Sequence, residues 1–71
     1  MKNEVVEVLD IAHGRRVIEY WKSKGIDTRG MYGAFTKEDN EAARYYGVIN
    51  KMFDCYTIEF VRKHNAEIIE L

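Results

Sequence analysis

Residues 36–65, TKEDNEAARYYGVINKMFDCYTIEFVRKHN, decide the fold, because this proline-free stretch fits one uninterrupted helix. Thr36 can cap the free N–H groups of a first turn that contains two acidic residues. The basic cluster at residues 62–64 stands at the other end, where a helix dipole favours positive charge. Asn65 follows it and can stop the helix in a left-handed conformation. We therefore predict one long helix over this stretch.

Apolar side chains form two rows along this predicted helix. The first row has alternating steps of four and three, a heptad seam that requires a partner helix. Its members are Ala42, Tyr46, Ile49, Phe53, Tyr56 and Phe60. The second row lies about 100° around the helix, and it consists of Tyr45, Val48, Met52 and Cys55. One first helix cannot cover both rows, so we predict that the second row is an interface with another copy.

The first third of the chain also has the pattern of a helix. Between residues 3 and 24 the acidic residues come early and the basic residues late, as a helix dipole favours. Gly25 stands where a C-terminal cap belongs, and Gly14 could loosen the helix in the middle. The predicted fold is therefore all-α, a hairpin of two long helices within one small domain, residues 1–71, completed by self-association.

A mixed fold is the alternative. Tyr56, Ile58 and Phe60 alternate with polar residues as a half-buried strand would. Residues 62–65 could then turn the chain into a second strand at residues 66–71. The segments VVEV and RRVIEYW suggest strands in the first part of the chain as well. The sequence therefore leaves open a small α+β fold with a C-terminal β-hairpin.

Composition restricts the class of protein. A chain of 71 residues buries only about 60% of the surface that its unfolded chain exposes, so its stability margin is thin. Cys55 is the lone cysteine, which excludes an internal disulfide, and no secretory signal is recognisable. We therefore expect a reducing, cytoplasmic setting. No apolar run approaches the roughly 20 residues of a membrane span, and a net charge of −1 argues against a nucleic-acid module.

The sequence offers two weak candidates for catalytic or metal chemistry. Cys55 would need a nearby imidazole to become a nucleophilic thiolate, but on a continuous helix His64 lies on the opposite face. Asp10 and His13 have the i, i+3 spacing that places two metal ligands on one helical face. The seam of the second helix supplies no further carboxylates. We therefore predict no enzyme activity, no metal site and no cofactor.

The connector DTRGMYGAFTKED, residues 27–39, holds the one candidate ligand site. Its two glycines allow close backbone approach, and the helix start at Thr36 favours anions. Arg29 could hold a phosphate and Tyr32 could stack on a base. The spacing matches neither a phosphate-binding P-loop nor the dinucleotide fingerprint. The simpler interpretation is that the apolar connector residues pack over the open end of the helical hairpin.

Together these patterns predict a small intracellular, non-enzymatic protein-interaction module that forms homo-oligomers and presents a surface to a protein partner. Chains of this size are common in phages and mobile elements as modulators of host proteins, an analogy that rests on size alone. The alternative function is an oligomer that binds a nucleotide or another small anion through Arg29, Tyr32 and Thr36.

Overall fold

The protein, in its described residues, is a four-stranded sheet with one helix against each face. The computed structural model describes residues 2–30 and 43–71. The elements in chain order are β1 (Glu4–Glu7), α1 (Ile11–Ser23), β2 (Tyr45–Ile49), β3 (Met52–Tyr56), α2 (Ile58–Lys63) and β4 (Glu67–Ile69). The strands are arranged in the order β3-β2-β1-β4. β1 is antiparallel to β2 and parallel to β4, so the sheet is mixed.

The predicted all-α helical hairpin is wrong, and the α+β alternative is confirmed as the fold class. Residues 45–56 form an antiparallel β-hairpin where a long helix was predicted. The alternative put its β-hairpin at the C-terminus, whereas the observed hairpin lies earlier in the chain and ends at Tyr56. The chain after Tyr56 forms α2 and then β4, which pairs with β1 and does not fold back on its neighbour.

A two-residue turn explains why this segment is a hairpin. Ile49 and Met52 are paired across the ladder, and Asn50 and Lys51 between them have φ angles of 54° and 67°. Two consecutive positive φ angles define a type I′ turn, whose twist matches that of paired strands. The side-chain oxygen of Asn3 accepts a 3.0 Å hydrogen bond from the Asn50 N–H. A helix cannot pass through two left-handed residues, so the predicted heptad seam does not continue through Asn50 and Lys51.

Alternation along the strands sends one set of side chains to α1. The buried core on this face contains Val6, Val8, Val17, Ile18, Trp21, Tyr46, Val48 and Phe53. Trp21 of α1 packs on Phe53 of β3 with ring centroids 5.8 Å apart. Burying apolar side chains contributes about 1.5–3 kcal/mol each, so this cluster is the main source of stability.

A smaller cluster lies on the opposite face, beneath α2. Val61 of α2 packs against Val5 of β1 and Ile49 of β2. α2 has only six residues, and it connects β3 to β4, the two outer strands of the sheet. The short helix therefore covers the central strands and leaves much of the outer strands exposed on this side.

The predicted C-terminal ends of the two described helices are confirmed, although both helices start later than predicted. α1 ends at the predicted cap, with Gly25 at φ +80°, but it starts at Ile11 because VVEV forms β1. The predicted loosening at Gly14 is wrong, since its N–H bonds normally to the Asp10 carbonyl at 2.9 Å. α2 ends with basic residues followed by Asn65 at φ 52°, as predicted.

The pairing of β1 with β2 requires a glycine at one position. Gly47 lies opposite Val5, and a Cβ atom at Gly47 would collide with the Glu4 carbonyl oxygen and lie 2.6 Å from the Val5 Cα. These contacts involve backbone atoms of a central strand, so they cannot be relieved by a rotamer change. The two strands therefore approach closely because this side chain is absent.

We expect Gly47→Ala to lower the free energy of unfolding by about 2 kcal/mol, in the range of overpacking substitutions. The control is Gly25→Ala, where nothing lies within 4 Å and only the left-handed φ opposes a side chain, at a cost of about 1 kcal/mol. Urea unfolding measures both. A stabilised Gly47→Ala variant would show that the strands do not meet at this residue.

We expect Lys51→Gly to raise the free energy of unfolding by about 1 kcal/mol, because glycine relieves a left-handed backbone. The matched control is Lys63→Gly in the last turn of α2, where glycine should cost up to about 1 kcal/mol. Thermal unfolding compares the two. Destabilisation by both substitutions would indicate that residue 51 is helical.

Candidate binding surface

Of the three predicted ligand residues, the structure describes only Arg29. Arg29 is exposed with φ 57°, and its N–H donates to the Asp27 carboxylate at 2.9 Å. Its guanidinium lies 3.4 Å from the Asp54 carboxylate, which offsets the positive charge that an anion would need. Tyr32 and Thr36 lie outside the described residues.

The four predicted interface residues do not share one surface. Val48 is buried in the core beneath α1, and Cys55 packs against that same core. Tyr45 packs against the cluster on the opposite face. Met52 is 53% exposed at the start of β3. The row separates because a strand alternates its side chains between two faces, whereas a helix would have aligned them.

The environment of Cys55 disfavours a nucleophilic role. Burial raises the pKa of the Cys55 thiol, and the neighbouring Asp54 carboxylate raises it further. A raised pKa reduces the fraction of reactive thiolate. His64 packs on Phe60 instead, with ring centroids 4.3 Å apart.

The Asp10 and His13 pair forms a helix cap. Asp10 is the N-cap of α1, and its Oδ1 accepts a 2.8 Å hydrogen bond from the His13 N–H. The ring nitrogens of His13 contact two other residues, Leu9 and Leu71. Across residues 2–30 and 43–71, no group of three potential ligands among His, Cys, Asp and Glu is placed to hold a metal ion.

His13 joins two distant parts of the chain through its ring nitrogens. The side chain is buried, with 6% exposure. Nδ1 accepts a hydrogen bond from the Leu9 N–H at 3.1 Å, and Nε2 lies 3.0 Å from the Leu71 carbonyl oxygen. Because Nδ1 is an acceptor, the ring proton sits on Nε2, which donates to Leu71. The imidazole thus connects the start of α1 to the segment that follows β4.

A groove opens beside this histidine, between the ends of β1 and β4 and the start of α1. Its volume is about 310 Å³, within the range of small ligand sites. It is lined by Val6, Glu7, Leu9, His13, Ile68, Ile69, Glu70 and Leu71. Three of the apolar lining residues are well exposed: Leu9 at 70%, Ile68 at 50% and Leu71 at 48%. We call this cavity the β4 groove.

The backbone of β4 is open on the side away from β1. The Glu67 N–H donates to the Asn3 carbonyl on the β1 side at 2.9 Å. Since successive residues of a strand point their backbone groups to alternate sides, the N–H and C=O of Ile68 point outwards. No other described strand pairs with this outer edge. An unpaired edge beside exposed apolar side chains is a typical template for another strand.

Carboxylates surround the β4 groove. Glu7 and Glu70 line it, and Glu67 lies on the adjacent edge. Glu67 pairs with Lys2 at 2.9 Å, a hydrogen bond that raises the pKa of Lys2. Glu7 has only a 4.0 Å contact with Arg44. The rim is therefore partly neutralised, with Glu70 as a carboxylate outside any ion pair of the described residues.

Sequence reasoning missed this groove because its parts come from both ends of the chain. The signals were VVEV followed by Leu9, and the apolar residues among residues 66–71. Both were noted as strand candidates, but their parallel pairing is a long-range event that no local pattern specifies. Comparison with family models, curated proteins and solved structures finds no match. Within the described chain, no helix has the length and apolar character needed to cross a membrane.

Tyr46 makes the free energy of unfolding depend on pH in the alkaline range. It is 2% exposed and lies opposite Cys55 in the β2–β3 ladder. Burial raises the pKa of Tyr46 from 10.0 to about 12, and the neighbouring Cys55 adds to the rise. A raised pKa in the folded state means that stability is complete below pH 10 and is lost as the pH approaches 12.

We expect Tyr46→Phe to make the free energy of unfolding fall less steeply with rising pH, because phenylalanine has no proton to lose on unfolding. Urea titrations at several pH values between about 8 and 11.5 give this slope. Cys55 is present in both proteins, so the difference between the slopes reports the Tyr46 hydroxyl together with its interaction with Cys55. Equal slopes in the two proteins would contradict the assignment of the alkaline loss to Tyr46.

Proposed function

We propose that the protein is a non-enzymatic interaction module that binds an extended segment of a protein partner by strand addition along β4. The observation that carries this proposal is the open backbone edge at Ile68 directly beside the apolar β4 groove. Strand addition uses main-chain hydrogen bonds for affinity and side-chain pockets for selectivity. Both requirements are met within a few residues of each other.

Because β4 is short, backbone hydrogen bonds and side-chain burial must both contribute to the affinity for an added segment. β4 has three residues, and the outward groups of Ile68 offer one donor and one acceptor to an added strand. A net hydrogen bond contributes only about 0.5–1.5 kcal/mol, so the backbone alone cannot hold a partner. The β4 groove would therefore have to bury at least one apolar side chain of the added segment, with Leu9 and Leu71 at its sides.

Charge at the rim indicates which segments bind. The carboxylates of Glu7 and Glu70 favour lysine or arginine beside the apolar anchor and oppose acidic segments. We therefore propose an extended apolar segment flanked by basic residues as the partner. The raised pKa of the Cys55 thiol supports a binding role over covalent catalysis.

Ile68→Lys provides the test. Peptides that bind the wild-type protein are selected from a displayed random library and measured by isothermal titration. We expect apolar peptides with basic flanks, and Ile68→Lys should weaken their binding at least tenfold, or about 1.4 kcal/mol. The lysine places a charged side chain on the edge strand that the added segment would join, and such charges oppose strand addition.

The matched control is Met52→Lys, which changes a residue of similar exposure, 53% against 50%, on the opposite outer strand. This variant should bind like wild type, and circular dichroism checks that both variants fold. Equal binding by Ile68→Lys and wild type would overturn the proposal. If the wild-type protein is a dimer and Ile68→Lys dissociates it, the added strand comes from a second copy of the chain and not from another protein.

A further inference from the structure

His13 holds both sides of the β4 groove at once. The Leu9 N–H donates to Nδ1, and Nε2–H donates to the Leu71 carbonyl oxygen. Leu9 and Leu71 are themselves exposed lining residues of the groove. The ring lies between them and is nearly inaccessible to water. Neither leucine backbone can shift far without breaking a bond to this imidazole.

This bridge requires one chemical form of the ring. A neutral imidazole has one acceptor and one donor, and here both have a partner. A protonated ring has two donors, so the Leu9 N–H would face another N–H in place of an acceptor. The helix cap does not require these two ring hydrogen bonds, because the Asp10 carboxylate already accepts the His13 backbone N–H.

We propose that His13 is the positioning residue of the strand-addition site, and that its neutral Nε2–H form sets the separation of Leu9 and Leu71. This inference rests on the proposed function, because it concerns the shape of the same groove. His13 acts through the two leucines and need not touch the bound segment. Its loss therefore loosens the groove and weakens binding.

The first measurement concerns the bridge itself and needs no ligand. An NMR experiment that detects scalar coupling across N–H···N hydrogen bonds should show coupling between the Leu9 amide nitrogen and His13 Nδ1 at neutral pH. The ring nitrogen shifts should show a proton on Nε2. Absence of the coupling, or a proton on Nδ1, would overturn the inference.

The second measurement compares binding affinities at neutral pH, using a peptide selected as described above. His13→Leu removes both ring hydrogen bonds and should weaken binding fivefold or more. His13→Gln keeps an amide donor and an amide acceptor at this position, so it should restore part of the affinity. Equal binding by wild type and His13→Leu, or no difference between the two variants, would overturn the positioning role.

The two proposals fail in different ways. If the library yields no binding peptide while the Leu9 coupling is present, strand addition is wrong and the bridge remains. If peptides bind at β4 equally well in wild type and His13→Leu, strand addition remains and the positioning role is wrong. A merely structural histidine would lower the stability of both variants without a graded loss of peptide affinity.

Discussion

The pairing of β1 on both of its edges is the constraint on which the rest of the structure depends. This four-residue strand meets β2 in antiparallel and β4 in parallel register. Its two valines point to opposite faces, Val6 into the core beneath α1 and Val5 into the cluster beneath α2. The β4 groove lies where the same strand ends. Fold, both cores and the candidate site therefore share one short segment near the start of the chain.

Local signals in the sequence predicted the C-terminal ends of both described helices, but not their starts and not the long-range pairing of the strands. Gly25, Asn65 and the basic last turn of α2 act within one helical turn, so a single sequence reveals them. The hairpin was mistaken for a helix because its apolar residues recur at steps of three and four. The same aromatic and β-branched residues are also suited to the two faces of paired strands. The Asn50–Lys51 pair was the local sequence signal for a turn. It is a weaker signal than the Asn-Gly pair that typically occupies type I′ turns.

The candidate site was predictable only in fragments. The spacing of Asp10 and His13 was noticed, but the same spacing serves a helix cap as well as a metal pair, and the contacts decide for the cap. The other partner of the ring, Leu71, lies 58 residues away in sequence. Its proximity follows from the parallel pairing of β4 with β1. A groove made by two chain segments this far apart exists only after the sheet has formed.

The most direct test of this account is the NMR contact between β1 and β2 at Gly47. The Val8 N–H bonds to the Arg44 carbonyl, so alternation makes Val5 and Gly47 a non-hydrogen-bonded pair with closely spaced Cα atoms. We expect a strong nuclear Overhauser effect between the Val5 and Gly47 Hα protons. Its absence, together with sequential helical contacts through residues 45–56, would contradict the sheet and every site built on it.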